Sequence, residues 1–139
     1  MVDSLDVTKW IRFAQDDFDL ALIASERFRP FIEGTCYHCQ QAAEKILKAY
    51  TLAQTGSRTK SHELEDLLDA CVLYSAEFNN LRNACKDLEP YTILARYPAD
   101  IEPTEYHMKK ALKDAGAILM FTKSELKKLG YEHNSEQTI

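Results

Sequence analysis

The residues of this chain that could do chemistry sit mostly in one helical stretch and the loop after it. Gln41, Glu44, Lys45 and Lys48 project within about 100° of one another at helical spacing. Donors gathered beside a carboxylate can hold a phosphate or a nucleotide. Without a ligand the same residues are a solvated face carrying one i,i+4 ion pair, Glu44–Lys48. Asp17 falls within about 20° of Trp10 on an apolar helical arc. A charge there needs a partner, either a basic side chain of a neighbouring helix or a ligand. His62 follows the candidate cap Ser61 at the mouth of a polar loop running from Gln54 to Lys60. An imidazole in that place can bind an anion or act as a base, or can simply open a helix. Cys36-Tyr-His-Cys39 has the spacing of half a zinc site, but a structural zinc takes four ligands and a second Cys-x-x-Cys is missing. Both cysteines fall on an apolar stripe, where thiols act as small hydrophobes, and His38 is expected on the exposed side. The expectation is no metal and no cofactor. The chain has no Gly-rich phosphate loop, no Gly-x-Ser-x-Gly and no His-Glu-x-x-His.

These residues must be positioned by helices. With 139 residues, 45% of them hydrophobic, and only 4 Gly and 4 Pro, the chain lacks the turn signals an all-β fold needs. Apolar positions recur at helical period in every ordered stretch. The spacing predicts helices from Lys9 to Arg27 (cap Thr8), from Cys36 to Ala53 (cap Thr35), from near Ser61, from near Ala76 to Pro90, and from Thr104 to Leu129 with Gly130 as stop. The first stripe is Trp10, Ala14, Phe18, Ala21, Ala24 and Phe28. Short links between long amphipathic helices predict an all-α, antiparallel up-and-down four-helix bundle with an additional short helical segment. One domain is expected over 1–132, with a frayed polar tail over 133–139. No apolar run is long enough to span a membrane, and Met1-Val-Asp-Ser-Leu-Asp does not read as a signal peptide. With 4 Cys and no leader, reduced thiols and a cytoplasmic location are expected.

The net charge of −5 argues against nonspecific binding to duplex nucleic acid. It conceals a basic stripe on the last helix, where Lys109, Lys113, Lys123 and Lys127 project within about ±40° of one direction. Met120 lies inside that stripe and Phe121 lies off the expected core. Two large apolar groups so placed are candidates for a subunit interface.

Trp10-x3-Ala14-x2-Asp17-x3-Ala21, Cys39-Gln-Gln-Ala-Ala-Glu-Lys-Ile-Leu-Lys48, Lys60-Ser-His-Glu-Leu64, Tyr91-x4-Arg96-Tyr-Pro98 and Ala111-x3-Ala115, in this order, resemble the HEPN domain (higher eukaryotes and prokaryotes nucleotide-binding). The resemblance covers most of the chain, from about Trp10 to Leu129. It implies a four-helix bundle with an extra helical segment and a homodimer. It also implies one of three roles: metal-independent ribonuclease of a toxin–antitoxin system, non-catalytic partner of a small nucleotidyltransferase, or nucleotide binder. The ribonucleases carry Arg followed by His after four to six residues, with Arg stabilising phosphate charge and His acting as acid and base. This chain departs from that pattern. Arg58 and His62 have three residues between them and Arg96 and His107 have ten. Arg82-Asn83 resembles the start of the motif, but positions 87 to 89 are Asp, Leu and Glu. Arg82 and His62 are therefore only weak catalytic candidates. A binding module is the expected function, for a nucleotide, RNA or other phosphate-bearing ligand, with Asp17, Gln41, Lys45, Lys48, His62, Arg96 and Tyr97 at the site. Arg96 and the lysines would meet phosphate and Tyr97 would stack on a base. Alternatively, Arg96 pairs with Asp17 and the Arg-Tyr-Pro block is structural.

Overall fold

The structure is a computed structural model that describes residues 4–94 and 102–132. Three long helices dominate: α1 (Ser4–Glu26), α2 (Ile32–Thr55) and α5 (Glu105–Lys128). Between α2 and α5 lie α3 (Leu64–Val72) and α4 (Arg82–Leu88), the latter flanked by 3-10 turns at Ala76–Leu81 and Glu89–Ile93.

The direction of each element follows from which residues meet. Asp17 reaches Lys45 while Trp10 lies beside Lys48, so α1 and α2 are antiparallel. Phe18 abuts Gly116 and Gln15 meets Lys123, so α1 and α5 are antiparallel too. Phe78 stacks edge-on against Phe121 at 4.9 Å, and Asp87 pairs with Lys110. The 76–93 stretch therefore runs opposite to α5. The order is up, down, up, down, with α3 as the extra short segment, and the expected all-α bundle stands.

The core is built from apolar stripes of several helices. Cys36, Cys39, Ala43, Ile46, Leu47 and Tyr50 from α2, Leu64, Leu67, Leu68 and Cys71 from α3, and Ala111, Ala115, Ile118 and Leu126 from α5 are all buried. Burying such aliphatic side chains contributes about 1.5–3 kcal/mol each. α2 is buried along most of its length because α1, α3, the 76–93 stretch and α5 all pack on it.

Several expected boundaries and faces are corrected. α1 begins at Ser4, a full turn before Thr8, and stops at Glu26. Phe28 therefore lies outside the helix and is fully exposed. α2 begins at Ile32, and Thr35 sits inside it, its hydroxyl donating to the Phe31 carbonyl at 2.7 Å. That hydroxyl finds an acceptor one turn back, so it is not a cap. α3 begins at Leu64 rather than Ser61, with the Leu64 N–H donating to Glu89 Oε1 at 2.9 Å. The predicted continuous helix from Ala76 is a 3-10 turn, two α-turns and a second 3-10 turn. Pro90 stands at the start of that last turn, where its missing N–H costs no hydrogen bond.

Two helix ends are as expected. Thr104 caps α5 through a reciprocal pair: its hydroxyl accepts from the His107 N–H, and its own N–H donates to His107 Nδ1 at 3.0 Å. Gly130, at φ 95°, ends it in the left-handed conformation that favours glycine. The expected polar tail, 133–139, lies outside the described residues.

Candidate functional site

Asp17, Gln41, Lys45, Lys48 and His62 come from α1, α2 and the loop before α3, and they fall into two polar networks on adjacent turns of α2. Asp17, 6% exposed, is the hub at one end. Its Oδ2 accepts from Lys45 Nζ at 2.6 Å and its Oδ1 lies 2.9 Å from His38 Nδ1. One turn along α2, Lys48 Nζ donates to Glu44 Oε2 at 2.9 Å. His62 Nδ1 lies 2.8 Å from Lys48 Nζ and 3.1 Å from Glu44 Oε2. That nitrogen either accepts from the ammonium or donates to the carboxylate; a neutral ring cannot do both. Gln41 donates to Gln40 Oε1 at 2.7 Å, and Gln40 in turn donates to Glu44 Oε1 at 3.3 Å.

The expectation that Glu44 and Lys48 form a solvated face is overturned. Both are only 8% exposed. The turn of α1 that carries Trp10 and the loop that carries His62 cover them. Lys48 Nζ also sits 5.8 Å from the Trp10 ring centroid, within reach of a cation–π attraction. Two ion pairs are thus held on adjacent turns, each largely buried carboxylate facing a lysine and a histidine. His62 is the open edge of the cluster, with 76% of its side chain exposed, and Lys45 is reachable at 27%.

His38, expected on the exposed side, is instead a member of the cluster. The signal lies in the spacing: seven residues before Lys45, it shares that residue's helical ridge. Gln40, fully buried, and Trp10 are likewise absent from the expected site.

The other candidates do not join. Arg82 is held on α3, donating from Nη2 to Asp69 at 2.7 Å and from Nε to Asn79 at 2.9 Å, with Glu65 at 3.6 Å. His107 is occupied by the Thr104 cap. Arg96 and Tyr97 lie outside the described residues. Asp17 has Lys45 and His38 as partners, so its charge is met without an arginine. Met120 is 75% exposed, while Phe121 is partly buried, packing edge-on against Phe78 at the edge of the core. Leu129, the expected last residue of α5, is 42% exposed. Lys109, Lys113 and Lys127 are exposed as expected, while Lys123 is tied to Gln15 at 2.8 Å.

All four cysteines are buried and unbridged. Burial pushes the Cys36 and Cys85 thiols up to about 12, Glu33 adding to the effect at Cys36, and raises Cys39 and Cys71 further. Thiolate chemistry is disfavoured there. Among the described residues, no three His, Cys, Asp or Glu side chains are grouped to hold a metal ion.

A helical bundle with a buried, mutually paired polar cluster between its first two helices is the frame in which the family becomes plain. The sequence model of the HEPN domain matches residues 7–126, and the chain belongs to that family. Among solved structures it is similar to TT1696 from Thermus thermophilus, at 26% identity and TM-score 0.70, covering 85% of this chain and 96% of that one. It is also similar in fold to ST0689, an archaeal HEPN homologue, at 24% identity and TM-score 0.68, covering 86% and 96% respectively. No curated protein sequence matches significantly. Among the described residues, no helix is long and apolar enough to cross a membrane.

Proposed function

We propose that this chain is a non-catalytic, dimeric HEPN module that binds a nucleotide or other phosphate-bearing ligand at the α1–α2 cluster, with a small nucleotidyltransferase as its partner protein. The observation that carries this reading is the placing of Asp17, Gln41, Lys45, Lys48 and His62 in two polar networks on adjacent turns of α2, with His62 exposed at the edge. Asp17 and Glu44 hold the two lysines in fixed positions, and a phosphate oxygen can replace a carboxylate oxygen as acceptor for either ammonium.

The absence of an imidazole at positions 87 to 89 supports the non-catalytic part, because the family's cleavage chemistry needs a proton shuttle beside its arginine. Arg82 is also already committed to Asp69 and Glu65.

Calorimetry with ATP, GTP and short RNAs tests the reading. Saturable heat is expected with at least one, weakened about tenfold or more by Lys45→Met, the loss of one charge-assisted hydrogen bond. No heat with any of them overturns ligand binding and leaves only the partner role.

One observation favours a rival. The exposed His62 imidazole sits between a carboxylate and an ammonium, an arrangement that suits acid–base catalysis on a phosphodiester. Cleavage of total RNA by the pure protein without added metal, abolished by His62→Gln, would establish a relocated ribonuclease and sink the binding module.

A further inference from the structure

A separate small cavity opens beside the polar cluster, between the first turns of α1 and the loop after α2. It measures about 190 Å³ and is lined by Asp6, Lys9, Trp10, Phe13 and Arg58. Trp10 joins it to the cluster, since the same indole lies against Lys48. The lining has a particular chemistry. Two aromatic rings offer flat apolar surface, and Phe13 is 43% exposed. Lys9 and Arg58 are exposed cations. Neither forms an ion pair with a carboxylate among the described residues, in contrast to Lys45, Lys48, Arg82 and Lys110. Asp6 adds one acceptor.

Aromatic faces with unpaired cations at the rim suit a flat ring carrying an anion. The volume corresponds to about six water molecules at ~30 Å³ each, enough for a planar ring but not for a whole nucleotide. The anion must then remain at the mouth, where Lys9 and Arg58 are. His62 itself lines a different, acidic groove of about 660 Å³, together with Glu63, Glu65, Asp66, Asp69 and Glu89. Its charge turns an anion away, toward the Lys9–Arg58 side.

We propose that this cavity takes the base of a single nucleotide, which stacks on Trp10 or Phe13, donates a ring or amino N–H to Asp6, and places its phosphate between Lys9 and Arg58. The inference rests on the nucleotide-binding reading above and assigns the stacking role to α1 aromatics.

Trp10 is the only tryptophan in the chain, so its emission reports on this cavity directly. Nucleoside monophosphates, the matching nucleosides and inorganic phosphate are titrated against the full chain, excited at the red edge of the indole band, with calorimetry in parallel. A saturable change in emission is expected with a monophosphate. Arg58→Ala and Lys9→Ala should each weaken it roughly tenfold, the cost of one charge-assisted contact. Nucleosides lacking phosphate, and phosphate lacking a base, should both bind much more weakly. Both side chains are exposed, so the variants keep the fold. Calorimetric heat with silent Trp10 emission and unchanged affinity in both variants would overturn this inference while leaving the cluster as the binding site. Silence in both measurements would overturn both. A nucleoside binding as tightly as its monophosphate would overturn the role of Lys9 and Arg58.

Discussion

Glu44 and Lys48 bear on stability as well as on binding. Each side chain is about 10% exposed, and each is the other's counter-charge. Removing one member of a buried pair strands the other, at a cost of about 3–5 kcal/mol. Glu44→Ala is expected near the low end of that range, because His62 remains to accept from Lys48. The double change Glu44→Leu with Lys48→Met should cost much less than the single one, since no charge is left behind. Urea midpoints at constant m-value separate these outcomes. The thiols give a prediction in pH. An acid whose folded value is raised contributes stability that is full below its unfolded value and is lost above it. Cys36 and Cys85 rise from 9.0 to about 12 through burial. Their contribution should thus be intact at neutral pH and decline as pH climbs from about 9 toward 12. Alkylation of the native protein near neutral pH should be slow at all four cysteines and become fast in denaturant, which mass spectrometry would count. Fast labelling of the native state would contradict the buried placement.

At the scale of the element, the helices are legible because their apolar residues repeat at helical period. Cys36 and Cys39, expected on an apolar stripe, and Ala14 and Ala21 of the first stripe are all buried. The polar face of α2 is misleading for a physical reason. A helical wheel shows which residues share a face but not whether another helix covers it. α2 is packed on several sides, so the face holding Glu44 and Lys48 is interior. The same limit explains Phe121: its wheel position is off the α5 stripe, but the ring of Phe78 comes to it from the 76–93 stretch. That stretch is also the least legible element. Its apolar spacing is helical, while Asn79, Asn80 and Pro90 favour tight turns over α-helix. For the site, Asp17 is legible as a misplaced charge, but its actual partners on α2 depend on the α1–α2 register, which pattern alone does not fix. One element-scale substitution tests the packing of α1 on α5. A methyl on Gly116 would meet Phe18 at 3.5 Å, ordinary contact. Gly116→Ala, inside a helix, should therefore stabilise the protein by about 0.5–1 kcal/mol, seen as a raised Tm. A lowered Tm would mean that α1 lies closer to α5 than described.

Over the whole molecule, exposed apolar surface is the main unexplained feature. Met120 is 75% exposed, and Leu20 and Ile23 on α1 are 49% and 60% exposed. If the expected dimer uses the Met120 surface, Met120→Asp should shift a dimer to a monomer on sizing without lowering the urea midpoint. An unchanged elution volume would remove that surface from consideration. Phe121→Asp is not a fair test, since it would place a charge against Phe78 in the core. The composite strut between residues 76 and 93 carries a last consequence. α1, α2 and α5 each hold themselves with long runs of internal backbone bonds, whereas the strut has only short turns and owes its shape to the side chains it lends to the others. Its amides should be the first to exchange with deuterium when the native protein breathes, ahead of those in the middle of α2. Such opening would withdraw Glu89 from the start of α3 and loosen the segment that holds His62 over Lys48. The edge of the cluster would then be timed by local unfolding of the 76–93 stretch.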